Sequence, residues 1–457
     1  MNIEQIFELP NFRTQLGELR KNKTEKSTED WWKEFNGKHS ILTDITRKDE
    51  YVGVGNDKRL VKKAKEIVTF QKKITNTAIA FMFGKPVKLS MRNEEEAIEE
   101  PFNSLKQMWR DTKLDYFNRE LMRHGSVETE VAELWYVEEA ETGFKPRVKL
   151  ISEKEGYAFY PNWSGTGDMD AFVVEFKKAD ATGKKNLDCV AIYTAAEITE
   201  AVKTSSDWEV ETKPNPFGKI PAVLYQQDAR EWGDVQTLID RLEMMISRHA
   251  DTNDYFAGPI LKVWGKLKEA PNKSQDAKSL QFDADFDDDG KERKADAEYL
   301  TWMHTPESLK LEYNIIRELI YELTHTPEIS FGKVKGLGNV SGIALTLLFL
   351  DPIIKAMNKE EIYGKGLQRR VNLMKAILGT IDTSKKKLYD QLDVDIEFQS
   401  ILPNNIPEVV STLADAKVAG IISTSEAIRQ NPQVSNAQQV EGELKSEASL
   451  QGGSFEL

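Results

Sequence analysis

A chain of 457 residues, 40% of them hydrophobic and nine of them tryptophan, can build two or three domains with real cores and is not a disordered polymer. Its net charge of −13 opposes tight non-specific binding to duplex DNA but not passage of DNA past it. With Cys189 as the only cysteine, an intrachain disulfide, a CxxC redox pair and a cysteine zinc cage are all excluded.

The N-terminal MNIEQIFELPNFR lacks a basic n-region and an apolar h-region, so no secretory leader is expected. The longest near-continuous apolar run, Ile343 to Leu350, falls far short of the roughly 20 residues that a membrane span needs. Together these predict a soluble, cytoplasmic subunit.

No repeat of 20–50 residues is present, which removes solenoids and propellers. Residues 1–57 mix Phe7, Phe12, Trp31, Trp32 and Phe35 with charge and carry no firm pattern. From Lys58 to Phe83 the spacing of Leu60, Ala64, Ile67, Ile74, Ala78 and Phe81 predicts a helix, stopped by Gly84 and Pro86. A second helix is predicted over Asn103–His124, through Leu105, Met108, Trp109, Leu114, Phe117 and Leu121, with Gly125 as its cap.

The period then changes to two. Val127, Thr129, Val131, Trp135 and Val137 alternate with Glu128, Glu130 and Glu138, as in a strand with one buried face. Further strands are predicted near Val148–Ile151, Tyr157–Tyr160, Phe172–Phe176 and Val190–Tyr193, so 126–225 reads as mainly β.

Helices return after Pro221. Val235, Leu238, Ile239, Leu242, Met245, Ile246 and His249 give an amphipathic helix of about 24 residues, roughly 36 Å long. Gly258 and Pro259 end it, and 265–300 is a polar, acidic insertion. Thr305 as N-cap and Pro306 in the first turn start another helix, with Leu309, Tyr313, Ile316, Ile320 and Leu323 on one face and Pro327 as its limit. A loop rich in Gly and Lys, FGKVKGLGNV, leads to a long helix over Ser341–Leu378 with Pro352 as a kink. Beyond Asn431 the tail turns polar and is expected to fray.

Catalytic patterns are scarce. There is no GxxxxGK[ST] and no GxSxG, and GLGNVSG (Gly336–Gly342) departs from the dinucleotide fingerprint at Ser341. His39, His124, His249, His304 and His325 lack metal-ligand spacing and are expected to be solvated or capping; Cys189 is expected as a small core residue. Asp285, Asp287, Asp289, Gly290 and Asp296 follow calcium-loop spacing, but the twelfth place holds Asp rather than the longer Glu. A solvated acidic loop is the expected reading, with these aspartates a weak metal candidate.

Four segments in order resemble the portal proteins of tailed bacteriophages, in particular those of phages with long non-contractile tails. They are KKITNTAIAFMFGKPVKLS (Lys72–Ser90), NPFGKIPAVLYQQDAREWGDVQTLIDRLEMMISRHADTNDYF (Asn215–Phe256), VSGIALTLLFLDPIIKA (Val340–Ala356) and the Ile396–Val434 stretch with its Leu-Pro turn. The resemblance implies an α+β, mainly α portal fold: an α/β wing (1–233), first stem helix (234–257), small α/β clip (258–304), second stem helix (305–327), tunnel loop (328–340), long kinked helix returning to the wing (341–400), and helical crown with C-terminal tail (401–457). It implies a virion protein without catalysis or cofactor, forming a ring of twelve subunits at one capsid vertex and assembled in the host cytoplasm. Double-stranded DNA would be packaged and ejected through the ring. Terminase large subunit, major capsid and scaffolding proteins, and head-tail adaptor proteins would be its partners, with no membrane contact.

On this reading Lys333 and Lys335 approach DNA phosphate, within a tunnel loop that also holds Gly332, Gly336, Gly338 and Asn339; simple solvation of the lysines is the alternative. Leu238, Leu242, Met245, Ile316 and Ile320 are the candidate subunit seam, with core packing as the ordinary alternative. Two other functions stay open: a metal-dependent hydrolase using the acidic loop 283–296, and a non-viral scaffold or adaptor.

Overall fold

The computed structural model describes residues 17, 20, 27–52, 58–92, 95–140, 143–180, 183, 185–204, 208–256, 260–264, 282–283, 286, 296–300, 306–328, 347–401, 406–434 and 437–450. The architecture is α+β. In chain order the elements are α1 (Thr28–Phe35), β1 (Glu50–Val52), β2 (Arg59–Val61), α2 (Phe70–Phe83), β3 (Lys88–Met91), α3 (Glu96–Asp111), α4 (Leu114–Glu128), β4 (Glu130–Ala140), β5 (Gly143–Ile151), β6 (Ala158–Trp163), β7 (Met169–Ala179), β8 (Asn186–Tyr193), β9 (Glu197–Lys203), β10 (Trp208–Pro214) and β11 (Ala222–Gln226). There follow α5 (Gln236–Phe256), β12 (Ile260–Trp264), β13 (Asp296–Leu300), α6 (Pro306–Leu323), α7 (Leu350–Ile381), α8 (Lys386–Gln391), β14 (Val394–Glu397), α9 (Ile406–Val418), α10 (Thr424–Gln430) and α11 (Ala437–Leu450). Two compact units result: unit 1 is Met1–Thr28, Lys73–Glu231 and His325–Leu457; unit 2 is Glu29–Lys72 and Trp232–Thr324.

Among the described residues unit 1 holds three antiparallel sheets, in the orders β11-β4-β5, β10-β9-β8-β7-β6 and β14-β3. Every residue from Val131 to Trp135 is buried, so β4 is covered on both faces rather than the one that its alternation suggested. Ala132 and Leu134 join Phe159, Phe172 and Val174 of the largest sheet in one apolar cluster. Val131 and Trp135 face the other way, toward a cluster built from α3, α4 and α7. Glu133 shares that second face and is fully buried. A bare carboxylate there would cost several kcal/mol of desolvation, and Arg370 of α7 neutralises it. The Arg370 Nε lies 2.9 and 2.8 Å from the two Glu133 oxygens, its Nη2 donates to Oε2 at 2.5 Å, and its Nη1 donates to Asn118 Oδ1 at 2.5 Å.

The predicted helix over Asn103–His124 is two helices. Leu105, Met108 and Trp109 define the apolar face of α3, and one more turn would bring Thr112 and Lys113 onto it. The chain breaks instead at Lys113 (φ 54°), and Leu114 restarts the buried stripe. Gly125 is not the cap, since α4 runs on to Glu128 and closes at Thr129 (φ 67°). Of the predicted helix over Ser341–Leu378, residues 341–346 lie outside the described residues; Leu347 and Leu348 are helical, Phe349 (φ −106°, ψ 19°) interrupts, and α7 restarts at Leu350, just before Pro352. Pro352 is thus the third residue of α7, where a missing N–H is among those without a helical partner.

In unit 2 the predicted helix over 58–69 is replaced by β2 and an extended segment; α2 starts only at Phe70. The cause is a ladder supplied by α5. Glu243 Oε1 accepts from Val68 N at 2.8 Å, Ser247 Oγ from Glu66 N at 2.8 Å, and Asp251 Oδ1 from Ala64 N at 2.7 Å. Four helical residues rise about 6 Å and two extended residues advance about 6.6 Å, so a helix stripe at i, i+4, i+8 matches alternate backbone amides. Arg47 closes the ladder's end, donating to Ala64 O at 2.7 Å and to Asp251 Oδ2 at 2.5 Å. In the same unit β12 pairs antiparallel with β13.

Candidate functional site

The predicted loop residues Gly332, Lys333, Lys335, Gly336, Gly338 and Asn339 lie outside the described residues; the segments on either side of the loop are described. Before it, α6 ends at Leu323 and Thr324 turns its hydroxyl back onto Ile320 O at 2.6 Å. His325 then adopts a left-handed conformation (φ 50°). After it, α7 opens with exposed Leu347, Leu348 and Leu350 around its start.

The first third of α7 is fixed by a buried charge cluster. Lys355 and Lys359, one turn apart, each place an ammonium 2.7 Å from a different oxygen of Glu231. Lys359 also donates to Gln227 Oε1 at 2.7 Å. The Glu231 backbone is itself held, its N–H donating to Ser126 O at 2.9 Å. Burial works to raise the Glu231 pKa, but the two ammonium groups more than offset it and hold the carboxyl down at about 2. The same burial lowers Lys355, with Glu231 opposing it.

In unit 2, α5 and α6 pack on each other. Leu242 and Ile320 are fully buried, Met245 and Ile316 nearly so, and Leu238 is half-buried. Those five were the candidate seam, yet four of them are already consumed in packing within the unit. Arg241 and Glu312 pair at 2.7 Å across the same two helices. Leu323, predicted on the buried face, is exposed. It completes a stripe that sequence reading missed: Leu311 (61% exposed), Ile315 (47%), Leu319 (37%) and Leu323 (53%), at i, i+4, i+8 and i+12 on α6. The signal was there, because LEYNIIRELIYEL carries apolar residues on two sides of one helix.

Two histidines depart from expectation by being buried. His39 is flanked by Glu243 and by Glu34 O, to which its Nε2 lies at 2.8 Å. Burial lowers its pKa, Glu243 more than compensates, and the net direction is upward. His124 meets Ser152 Oγ at 2.9 Å and Glu128 Oε1 at 3.3 Å, both through Nδ1. A catalytic triad needs the hydroxyl and the carboxylate on opposite ring nitrogens, so this geometry does not activate Ser152. Cys189 is buried in β8, which raises its thiol pKa, away from the nucleophilic thiolate. Of the weak metal candidate, Asp285, Asp287 and Asp289 lie outside the described residues, and Asp296 begins β13, accepting from Ala297 N at 2.8 Å. Among the described residues no group of three or more His, Cys, Asp or Glu could hold a metal ion, and no helix is long and apolar enough to cross a membrane.

No curated protein matches the chain. Among solved structures it is similar to the neck of an empty gene transfer agent (GTA) particle, computed with C6 symmetry, at 9% identity and a TM-score of 0.40, covering 79% of this chain and 89% of that one. It is also similar to a chain of the virion of a native GTA particle, at 9% identity and a TM-score of 0.39, covering 88% and 92%. The family model for phage portal proteins of the SPP1 Gp6-like type matches residues 19–451, nearly the whole sequence. The chain therefore belongs to the SPP1 Gp6-like phage portal protein family.

Proposed function

We propose that this chain is the ring subunit through which double-stranded DNA is packaged and ejected at one capsid vertex, assembled in the host cytoplasm and acting without catalysis or cofactor of its own. The observation that carries the reading is the family match across residues 19–451. Residues 1–233 serve as wing, α5 and α6 as stem helices, 258–304 as clip, 328–340 as tunnel loop, 341–400 as the return to the wing and 401–457 as crown and tail. The ring would dock terminase during packaging and head-tail connector proteins afterwards, with the major capsid and scaffolding proteins as its neighbours at the vertex.

The exposed α6 stripe supports a ring. A row of Leu311, Ile315, Leu319 and Leu323 facing water is costly in a monomer and suits a heterologous contact repeated from copy to copy. The seam is therefore assigned to this stripe and to half-buried Leu238, rather than to the buried residues between α5 and α6. Lys333 and Lys335 are assigned to phosphate contact in the channel.

Negative-stain microscopy of the purified chain tests the reading. Rings with a central hole are expected, and Leu311→Glu with Leu319→Glu should abolish them while leaving the subunit folded. A wild-type protein that stays a single subunit at high concentration would remove the portal assignment. In the same preparation, Lys333→Ala with Lys335→Ala should keep the rings and impair DNA packaging; unaltered packaging would remove the loop assignment.

A further inference from the structure

In a chain with 75 acidic and 62 basic residues, three cations of unit 1 converge without an ion-pairing carboxylate, Asp168 acting on Arg369 only through space. Lys365 and Arg369 stand one turn apart on α7, and Lys219 faces them from the turn before β11. Two of the three are held by backbone rather than by acids: Arg369 Nε donates to Ala222 O at 3.2 Å, and Lys219 Nζ to Asn372 O at 3.3 Å. Among the described residues none of the three forms an ion pair. Asp170 lines the same concavity without pairing to them. Like charges at i and i+4 destabilise a helix slightly, so the arrangement brings the subunit no stability of its own.

The turn that carries Lys219 is rigid. Asn215 Nδ2 donates to Thr194 O at 2.6 Å and to Lys219 O at 2.9 Å, while its Oδ1 accepts from Phe217 N at 3.0 Å. Gly218 takes a left-handed conformation (φ 62°), with open space where a Cβ would stand. The concavity between this turn and α7 has a volume of about 810 Å³. Its floor is apolar, with Ile220 and Leu373 nearly fully buried. Gln368 and Asn372 lie on the same helical stripe as the two α7 cations and add amide donors beside the floor.

We infer that this concavity docks an acidic segment of a partner protein, with carboxylates on Lys219, Lys365 and Arg369 and an apolar side chain on the Ile220–Leu373 floor. Charge complementarity selects an anion, because three cations, two of them fixed by backbone and none ion-paired, gather in an otherwise acidic molecule. The apolar floor selects a peptide over a nucleic acid. A duplex presents its phosphates on a convex, hydrated backbone and offers nothing to fill an apolar recess. Arg369 and the two flanking amides supply directional donors suited to carboxylate and peptide oxygens. The inference goes beyond the ring reading and holds whether or not rings form.

The test is fluorescence anisotropy with the full chain and a labelled peptide in which glutamates flank two leucines. Wild-type protein should bind it, and Lys365→Glu with Arg369→Glu should weaken binding by about tenfold or more, the loss expected from at least 1.4 kcal/mol. Both positions are exposed, so the variant should fold; its melting curve checks that, and ring formation is read in parallel. Replacing the peptide's glutamates with glutamines, or its leucines with serines, should each abolish the difference between wild type and variant. Equal affinity of the variant for the original peptide overturns the proposal. So does a serine-substituted peptide that binds as well as the original, which would mean generic anion attraction. Displacement of the peptide by a short DNA duplex whose own binding is lost in the variant would overturn it in favour of phosphate. Loss of rings with peptide binding intact would sink the portal reading and leave this one standing.

Discussion

Units 1 and 2 satisfy their buried polar groups by different chemistry. In unit 1 a guanidinium and a carboxylate, both fully buried, neutralise each other between β4 and α7, with Asn118 of α4 as a third partner. In unit 2 side chains of one helix satisfy the backbone amides of an extended segment, and the two carboxylates among them are met by a second element each, Glu243 by buried His39 and Asp251 by Arg47. The two designs should fail differently. Removing one partner of the unit 1 pair strands a charge in an apolar core, whereas removing the Ser247 hydroxyl in unit 2 strands only the amide of exposed Glu66.

The largest effect separating them is expected from Glu133→Ala, which leaves Arg370 buried and unpaired at a cost of about 3–5 kcal/mol in chemical denaturation. Replacing both residues, Glu133→Leu with Arg370→Met, should recover most of that loss; a double variant no better than the single one would show that the pair was not the issue. Next comes acid. Because Glu231 titrates at about 2 when folded and near 4.5 when unfolded, its contribution is complete above pH 4.5 and disappears as pH falls toward 2. That contribution is of order 3 kcal/mol, and Glu231→Gln should flatten this part of the stability–pH curve. Smallest is Ser247→Ala, expected to cost about 1 kcal/mol and to speed hydrogen exchange at the Glu66 amide. Unchanged exchange there would mean that the ladder's middle rung is not carrying the segment.

How much could be read in advance follows from where the partners lie. Strands β5 to β8 and helices α5 and α6 were legible because their signals are local, in period-two or period-3.6 spacing and in Pro306 at a helix start. The break at Lys113 was legible too, since the apolar face slips by one residue between Trp109 and Leu114, but the two stripes were read as one. The extended run before α2 was not legible. Leu60, Ala64 and Ile67 keep helical spacing, and what overrides it are Glu243, Ser247 and Asp251, some 175 to 187 residues away. The Glu133–Arg370 pair is equally remote, 237 residues apart: Glu133 has the parity of Val131 and Trp135 on the predicted buried face, but no local spacing names its partner. Of the site, the predicted loop residues lie outside the described residues; the α6 stripe was present as apolar residues on two sides of one helix, while the Glu231 cluster joins residues 124 to 128 apart and left no local signal.

The α5 ladder also sets its own length. Each rung adds a mismatch of about 0.6 Å between four residues of helix and two of extended chain, so three rungs accumulate about 1.2 Å and a fourth about 1.8 Å. The three bonds nonetheless stay at 2.7–2.8 Å, because Glu243, Ser247 and Asp251 reach different distances from the helix and take up the drift, and each further rung would ask for more. The pairing behaves as a vernier scale, in which two rulers of slightly different pitch coincide over a short window and nowhere else. Sliding the segment by two residues would set Ser247 against an amide that Glu243 or Asp251 now holds and leave one end without a partner, so the same mismatch that limits the ladder also fixes its register.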